Sequence, residues 1–321
     1  MMNVYITIDV EVWTEQWKLD ADSLSKAYNT YILGKTPEGD FGLPYQLNVF
    51  NSVGLTTVCF IEPLFSRVFG HEYLRQTIDI CRLGNNDIQL HAHPEWLKHD
   101  PNPFYDIDFS NRYLLSEFNV DEQSLIIKEA KNLLESETGT AVQAFRAGSF
   151  SANAATLTAL ERNKIFIDSS FNPSMPAHGN TLPTTAELLQ RTPFTYGLIN
   201  EIPMTVYKTA GHRLRHTQLT ACTYKELQNL LLQAFHQGYS DFVILSHSVE
   251  LLGAKRSAPD HKLIKNLHRL ASYLADNKDK FNVTGIADYR AANNISPEIL
   301  SLNAFYSVQR KFEQIIRSKY K

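Results

Sequence analysis

The sequence predicts an α/β fold in which a mainly parallel sheet is covered by helices. Short apolar stretches with two-residue alternation repeatedly give way to stretches with helical period, and this order is typical of βαβ units. A second observation is that several predicted strands end in acidic, basic or histidine residues. Ligands of parallel α/β folds bind at the carboxyl ends of the strands, so these residues predict one shared site.

The first predicted strand runs from Val4 to Asp9 and begins almost at the first residue. Its apolar residues occupy one face, whereas Asp9 and Glu11 lie on the other. Two carboxylates on one face, about 7 Å apart by the strand rise, repel each other unless a cation joins them. The pair therefore indicates a cation site at the strand end, and a solvated strand end is the alternative interpretation.

The remaining elements follow in alternation. Residues 14–40 show no clean periodicity and predict a long surface insertion, after which a helix runs to about Ser52 and a second strand covers Thr56–Ile61. A helix over 71–83 ends at Gly84 and leads into the strand that carries His91. Further helices are predicted from Asp121, over 153–162, from Thr223, over 261–276 and over 298–318. Further strands are predicted over 142–146, 165–168, 201–206, 241–246 and 283–286.

No internal repeat, low-complexity segment or linker divides the chain, so a single domain over residues 1–321 is predicted. The last helix, 298–318, is predicted to pack on this domain through its apolar residues. These are Phe305, Val308, Phe312 and Ile316.

The composition excludes several classes of protein. Apolar residues at 43% and charged residues at 20% are ordinary for a globular enzyme, and a formal net charge of -3 argues against a nucleic-acid partner. The three cysteines form no metal-ligand motif and fit a reducing compartment. No basic leader and no membrane-spanning apolar stretch of about 20 residues is present, so a cytoplasmic location is predicted.

His91 and His93 predict a metal site. They lie two residues apart at the end of a strand that Pro94 terminates, so both imidazoles project from one face. About 0.4 His-x-His pairs are expected by chance in a chain of this composition, so the pair is a weak signal alone. Its weight comes from the other polar strand ends at Asp9, Arg146 and His247.

These segments resemble the motifs of the polysaccharide deacetylase family (carbohydrate esterase family 4, with the NodB homology domain). The resemblance covers about residues 3–290, and the order and spacing of the motifs match. It is nearest to the cytoplasmic branch associated with surface-polysaccharide and lipopolysaccharide clusters. The segments that carry it are Thr7-Ile8-Asp9-Val10-Glu11, Asp87-Ile88-Gln89-Leu90-His91-Ala92-His93-Pro94, Phe145-Arg146-Ala147-Gly148-Ser149-Phe150, Asp168-Ser169-Ser170 and Leu245-Ser246-His247.

The resemblance implies a distorted, incomplete (β/α)7 barrel and a metal-dependent hydrolase. In that family one acidic residue of the first motif is the base and another binds metal, which here implies Asp9 as base and Glu11 as ligand. It also implies that Arg146 orients the base and that His247 is the general acid. The cofactor expected is one divalent ion, zinc, held by Glu11 together with the histidines of the second motif.

This chain departs from the family pattern in the second motif. The commonest form, His-x-x-x-His, would reach Glu95 from His91. Either His93 is the second histidine ligand or Glu95 replaces the usual histidine; we favour His93, because zinc sites favour imidazole and the two histidines share a face. Glu95 then contacts substrate or supports a ligand. Substrate contacts are also expected from Trp96, Asp168 and Ser149.

The function predicted is removal of an N-acetyl group from an amino sugar. Without a secretion signal, a nucleotide- or lipid-linked glycan precursor is a better substrate than an extracellular polymer. Two alternatives stay open: a metal amidohydrolase that acts on a small non-sugar amide, and a catalytically inactive glycan-binding protein.

Overall fold

The structure, a computed structural model, describes residues 1–103, 105–175, 181, 193–289 and 298–319. The strands within these ranges are β1 (Met2–Val10), β2 (Lys35–Thr36), β3 (Gly39–Asp40), β4 (Thr57–Ile61), β5 (Asn86–Ala92), β6 (Ala144–Ala147), β7 (Ile167–Asp168), β8 (Phe194–Tyr196), β9 (Ile199–Glu201), β10 (Val206–Lys208), β11 (Leu214–His216), β12 (Asp241–His247), β13 (Phe281–Val283) and β14 (Leu300–Ser301). The α-helices are α1 (Ala21–Tyr31), α2 (Leu43–Asn51), α3 (Ser66–Phe69), α4 (Glu72–Arg82), α5 (Val120–Thr138), α6 (Ala154–Arg162), α7 (Tyr224–His236), α8 (His261–Asp276) and α9 (Ala304–Lys319).

One curved sheet forms the centre of the fold. Its strands lie in the order β12-β1-β4-β5-β6-β7-β9-β8, and every neighbouring pair from β12 to β9 is parallel. The last strand, β8, runs antiparallel to β9, and β13 pairs with the first residues of β1. Seven consecutive parallel strands with helices between them confirm the predicted α/β fold.

The outer edge of β12 carries an irregular stretch of chain instead of a regular strand. Leu245 of β12 donates its backbone N–H to the carbonyl of Thr217 at 2.9 Å, and Leu219 donates back to Leu245 at 3.0 Å. The Thr205 hydroxyl accepts from the backbone N–H of Val243. These bonds satisfy backbone N–H groups at the free edge of β12, but among the described residues no further regular strand joins this edge to the other end of the sheet. The barrel is therefore incomplete, as predicted.

The two-residue period of the strands sorts side chains between the barrel interior and the helical layer. Tyr5 of β1, Phe60 of β4 and Val243 of β12 belong to one buried apolar cluster inside the sheet. The intervening residues of β1 pack outward against helices: Val4 and Ile6 in one cluster, Ile8 in another. Asp9 continues the inward series, so the strand delivers its carboxylate to the carboxyl-end mouth of the barrel.

Residues 14–40 contain more structure than predicted. The helix α1 begins after Asp20, whose side chain accepts from the backbone N–H of Ser23, and it buries Leu24, Ala27 and Tyr28. The i, i+3, i+4 spacing of these three residues was a readable helical signal. By contrast, the helix predicted from Thr223 is confirmed, and a capping box begins it: the Glu226 N–H donates to Thr223 Oγ1 at 3.2 Å, and the Thr223 N–H donates to the Glu226 carboxylate at 2.8 Å.

The predicted packing of the C-terminal helix is wrong. In α9, Phe305, Val308 and Phe312 are 66–67% exposed. The opposite, polar side holds the helix to the domain: Arg310 pairs with buried Glu226, and Arg317 donates to Asp260 at 2.5 Å. The side chain of Ile316 lies outside the described residues. The helical period of the apolar residues predicts the helix. The face that contacts the domain, however, is the one that carries the two long-range ion pairs.

Within the described part of the chain, no helix is both long enough and apolar enough to cross a bilayer.

Candidate metal and catalytic site

The ends of four strands bring together the polar residues of the site. Asp9 of β1 lies opposite His247 of β12 in the strand register, and His91 of β5 lies opposite Arg146 of β6. All four side chains occupy inward-facing positions of their strands. Because parallel strands end at the same edge of the sheet, residues far apart in sequence meet at one mouth.

Glu11, His91 and His93 form a cluster whose side-chain nitrogen and oxygen atoms lie within 4.8 Å of one another. Nε2 of His91 is 2.9 Å from Glu11 Oε1, and Nε2 of His93 is 3.3 Å from the same oxygen. Both histidines are buried. Two imidazoles and one carboxylate in this arrangement are the donor set that zinc uses in catalytic sites.

The outer nitrogens of both rings have acceptors that fix the tautomer. Nδ1 of His91 lies 2.8 Å from the main-chain carbonyl of Arg146, which can only accept, so Nδ1 carries the proton. Nδ1 of His93 lies 3.2 Å from the carboxylate of Glu95. Each Nε2 is therefore the nitrogen that faces Glu11. Burial would lower the pKa of His93, but the charges of Glu11 and Glu95 outweigh burial and raise it well above its usual range. Such outer partners are typical of histidine ligands.

The positions of His93 and Glu95 bear on which of the two residues is the second metal ligand of the His91 motif. His93 shares the cluster with Glu11 and His91, whereas the carboxylate of Glu95 lies behind the His93 ring, at Nδ1. Gly148 packs against that ring, and a Cβ at this position would lie 2.6 Å from His93 Cε1. The glycine therefore allows a close approach that keeps the imidazole directed at Glu11.

Both carboxylate oxygens of Glu11 have side-chain partners. Oε1 faces the two imidazoles, and Oε2 accepts from Trp13 Nε1 at 2.7 Å. Burial alone would raise the pKa of this carboxyl, but the neighbouring imidazoles outweigh burial and hold the pKa well below its usual range. Trp13 also contacts the His93 ring edge-on, with centroids 4.7 Å apart. The Trp13 indole thus orients the carboxylate of Glu11.

Arg146 fixes the orientation of Asp9. The arginine is fully buried, its Nη1 donates to Asp9 Oδ1 at 2.7 Å and to Thr7 Oγ1 at 2.9 Å, and its guanidinium lies 4.3 Å from the centre of the Phe60 ring. Nε donates to the carbonyl of Ser169 at 3.1 Å. These contacts fix the guanidinium in place. It binds one carboxylate oxygen of Asp9 and leaves the other oxygen free to accept a hydrogen bond at the mouth of the barrel.

Asp168 lies beneath this pair and is fully buried, and its contact with substrate stays a prediction. It is the strand-register partner of Glu201, a second fully buried carboxyl. Asp168 Oδ2 and Glu201 Oε2 lack a hydrogen-bond donor among the described residues. Burial and the neighbouring carboxyl raise the pKa of Glu201 well above its usual range. One proton shared between the two carboxyls satisfies both orphan oxygens.

The predicted substrate contact of Trp96 likewise stays a prediction. Trp96 is fully buried, stacks on Trp13 with ring centroids 5.8 Å apart and belongs to the main hydrophobic core. It therefore supports Trp13 from below. Ser149 is half-buried and has a positive φ of 54°, directly after the glycine that contacts His93. Of the predicted substrate-contact residues, Ser149 and Glu95 retain exposed surface near the metal-type cluster.

His247 has an acidic partner that the sequence analysis missed. Its Nδ1 lies 3.0 Å from Glu250 Oε2, and Glu250 is itself held by Thr220 and by the side-chain amide of Gln218. Burial opposes the charged imidazole, but hydrogen bonding and the charge of Glu250, followed by the charges of Glu11 and Asp9, raise the pKa of His247 to about 9. The ring therefore carries a proton at neutral pH.

Two further residues were missed. Glu62 continues the inward series of β4 beyond Phe60, accepts from the backbone N–H of Leu64 at 2.8 Å, and has a pKa that burial raises to about 8. Its position at a strand end before Pro63 was the same signal that identified Asp9. Glu201 gave no such signal, because only the tertiary pairing with Asp168 distinguishes it.

A cavity of about 290 Å³ opens over the site. Its lining residues include Asp9, Glu11, His247 and Glu250, together with Trp13, Tyr31 and Arg256. The carboxylate of Asp9 and the imidazole of His247 thus face the same small space. A substrate carbonyl held there would have a proton acceptor and a proton donor within reach.

No family model matches the sequence, and no curated protein sequence matches it. Solved structures do match. A protein from Mycobacterium smegmatis assigned as a polysaccharide deacetylase shares 12% identity with a TM-score of 0.58, over 92% of this chain and 94% of that one. PuuE allantoinase shares 11% identity with a TM-score of 0.53, over 89% and 88%. The 4-alpha-glucanotransferase of Thermococcus litoralis shares 10% identity with a TM-score of 0.53, over 94% of this chain but 41% of that one.

At these identities the likeness concerns the fold. The predicted fold class is therefore confirmed: this chain is an α/β protein with the distorted, incomplete (β/α) barrel that it shares with the M. smegmatis structure.

Proposed function

We propose that this chain is a metal-dependent carbohydrate N-deacetylase of the polysaccharide deacetylase family. It would remove the acetyl group from an amino sugar carried on a nucleotide or lipid. The observation that carries the proposal is the convergence of three parts on one cavity: the cluster of Glu11, His91 and His93, the Asp9–Arg146 pair and the His247–Glu250 pair.

The donor set fits a divalent ion, and zinc is the ion we propose. The two imidazoles direct their Nε2 atoms at the carboxylate of Glu11, while their Nδ1 atoms are bound on the outside. When bound, such an ion supplies Lewis acidity that polarises an amide carbonyl and makes water a better nucleophile. Glu11, His91 and His93 are the residues that would hold it.

Asp9 accepts the proton of the attacking water. Its second carboxylate oxygen is not engaged by Arg146, and the residue lines the cavity, so the base needs no rearrangement to meet a water there. Arg146 cannot swing away, because its nitrogen atoms are bound to Thr7, to Ser169 and to Asp9 in a buried site. This rigidity is the preorganisation that general-base catalysis requires.

His247 donates the proton that the departing amine needs. An amine leaves an amide far more readily once its nitrogen is protonated, so an imidazolium at the mouth supplies the second proton transfer. Glu250 holds Nδ1 and so directs Nε2 toward the cavity. The raised pKa of about 9 keeps that proton in place at neutral pH.

A metal amidohydrolase is the alternative function that a separate observation supports. The fold likeness extends to PuuE allantoinase as well as to the M. smegmatis protein. A small non-sugar amide is therefore the second candidate substrate class, and it would use the same metal, base and acid. A catalytically inactive glycan-binding protein is less well supported, because acid, base and metal-type ligands all lie on one cavity.

The deciding experiment measures the metal content of the purified protein together with product release from two substrate panels. N-acetylated amino sugars report acetate release, and small cyclic amides report ring opening. Acetate release that requires the metal supports the proposal, whereas ring opening alone would favour the amidohydrolase. Metal binding without either activity would favour the binding protein. The cytoplasmic location stays a prediction, which cell fractionation tests.

A further inference from the structure

A second cavity, of about 550 Å³, lies beside the active-site cavity. It runs between the segment that contains α1 and the loop over residues 254–257. Trp13, Tyr31 and Arg256 line both cavities, so these three residues form the boundary between them. We call the larger cavity the outer groove. Its volume falls in the range of sites for small organic ligands, about 300–1,000 Å³.

The outer groove is strongly cationic. Lys18 and Lys26 line it from one side and Lys255 and Arg256 from the other, and Glu15 is the one carboxylate among its lining residues. All four cationic residues are exposed, and within the described part of the chain none of them forms an ion pair with a carboxylate. The overall charge of the protein is -3, so this concentration of unpaired positive charge is local.

Arg256 is fixed at the boundary between the two cavities. Its guanidinium donates to the Tyr31 hydroxyl and lies 4.4 Å from the centre of the Tyr31 ring. Its backbone has a φ of +55°, a conformation that residues with a Cβ adopt rarely. The planar guanidinium is thereby held where a ligand would pass from the catalytic cavity into the outer groove. Arginine in such a position suits the oxygen atoms of a phosphate.

Trp13 connects the outer groove to the catalytic residues. It lines the groove, and its Nε1 donates to Glu11 at 2.7 Å. A ligand that passed this indole would have one end in the groove and the other near Asp9 and His247. The two cavities are therefore arranged in series and fit two chemically different parts of one molecule.

We propose that the outer groove binds a phosphate or diphosphate group joined to the acetylated sugar, so that the substrate is a phosphate-bearing amino-sugar conjugate. The inference rests on the proposed function, which places the sugar in the catalytic cavity. A phosphate-bearing group is favoured over one carboxylate because four cations surround the groove and one acid opposes them. Nucleoside diphosphates and lipid diphosphates share this chemistry.

A binding experiment tests the groove without requiring catalysis. The probes are inorganic phosphate and uridine diphosphate, titrated against metal-depleted and metal-loaded protein and followed by calorimetry, so that binding to the metal is separated from binding to the lysines. We expect the triple variant Lys18→Gln/Lys26→Gln/Lys255→Gln to weaken uridine diphosphate binding by about tenfold to a hundredfold, since each exposed cation contributes roughly twofold to fivefold. The control is Lys128→Gln, which removes an exposed lysine of α5.

Equal affinity of the wild type and the triple variant for uridine diphosphate in the metal-depleted state would overturn the proposal. So would binding that does not weaken with added salt, because exposed charges are screened over a Debye length of about 10 Å. Binding that is lost in the triple variant and kept in Lys128→Gln supports the proposal.

A kinetic experiment identifies the source of the phosphate. Acetate release is measured with free N-acetylglucosamine, its 1-phosphate, its uridine diphosphate conjugate and a short polyprenyl diphosphate conjugate. A lower KM for the 1-phosphate than for the free sugar, reduced in the triple variant, supports the proposal, and the better of the two diphosphates identifies the carrier. No preference for any phosphorylated form would overturn it.

The two proposals can fail separately. Hydrolysis of the free sugar without a phosphate preference would sustain the deacetylase and reject the phosphate groove. Lysine-dependent binding of uridine diphosphate without hydrolysis of any acetylated sugar would sustain the groove and reject the deacetylase.

Discussion

Replacing Glu250 with glutamine tests whether His247 is the general acid. The carboxylate lies 3.0 Å from His247 Nδ1 and is the leading cause of the raised pKa, which burial alone would lower. Glutamine preserves the size of the side chain and a hydrogen-bonding oxygen but removes the charge. The imidazole should stay in place while its proton becomes easier to lose.

The pKa gives the expected magnitude. With a pKa of about 9, roughly nine-tenths of the His247 rings are protonated near pH 8, whereas with the ordinary value of 6.5 only about 3% are. The acid must start protonated, so activity falls as pH rises through this pKa, and lowering the pKa moves the fall to lower pH. The loss at pH 8 is therefore about thirtyfold where the pKa returns to its ordinary value, and it disappears at pH values well below 6.5.

The assay is kcat/KM for acetate release across roughly pH 6 to 10, with the metal content of each preparation matched. Glu137→Gln is the control, since it removes a carboxylate 2.7 Å from the half-exposed His71, between α4 and α5. An alkaline limb whose midpoint is the same in wild type and in Glu250→Gln would refute the assignment of that limb to His247. The ring would then be a substrate contact.

Three other predictions concern the metal and the base. The double variant His91→Ala/His93→Ala should lose the single divalent ion that wild type retains, as measured by elemental analysis, and equal stoichiometry in both proteins would reject these ligands. Asp9→Asn should keep the metal and lose about 10²–10⁴-fold in rate; near-normal turnover in metal-loaded protein would reject Asp9 as the base. In Gly148→Ala the new Cβ would lie 2.6 Å from the His93 ring, so metal affinity should fall about 10–100-fold in chelator competition. Gly211→Ala, where nothing lies within 4 Å, should leave the affinity unchanged; an equal effect of both substitutions would contradict the predicted contact.

The strands and the residues at their ends could be predicted because both depend on local pattern. Two-residue alternation places Asp9, His91 and Arg146 on inward positions, and the parallel order of the sheet brings them to one mouth. Glu62 obeyed the same rule and was overlooked. Glu250 lies in the turn after β12, three residues beyond His247, where no strand period applies.

Other features depend on contacts between distant segments, which no local pattern encodes. The amphipathic period of α9 is real, but the ion pairs of Arg310 with Glu226 and of Arg317 with Asp260 turn its polar side inward. Likewise, Asp168 was expected to contact substrate because its segment resembles a segment of the family that lines the substrate groove, whereas in the fold it is buried and pairs with Glu201 on the neighbouring strand. The cations of the outer groove come from segments more than two hundred residues apart.

Arg146 serves the two halves of the site through different parts of one residue. Its guanidinium holds Asp9, and its main-chain carbonyl accepts from His91. Any substitution of the side chain removes the first interaction, but the carbonyl remains, since every residue has one. The proposed hydrolysis and the proposed retention of a cation are therefore separable by mutation at this position. Under the proposed roles, a gene duplicate that lost this side chain by one codon change would lose its chemistry and keep its cation ligands.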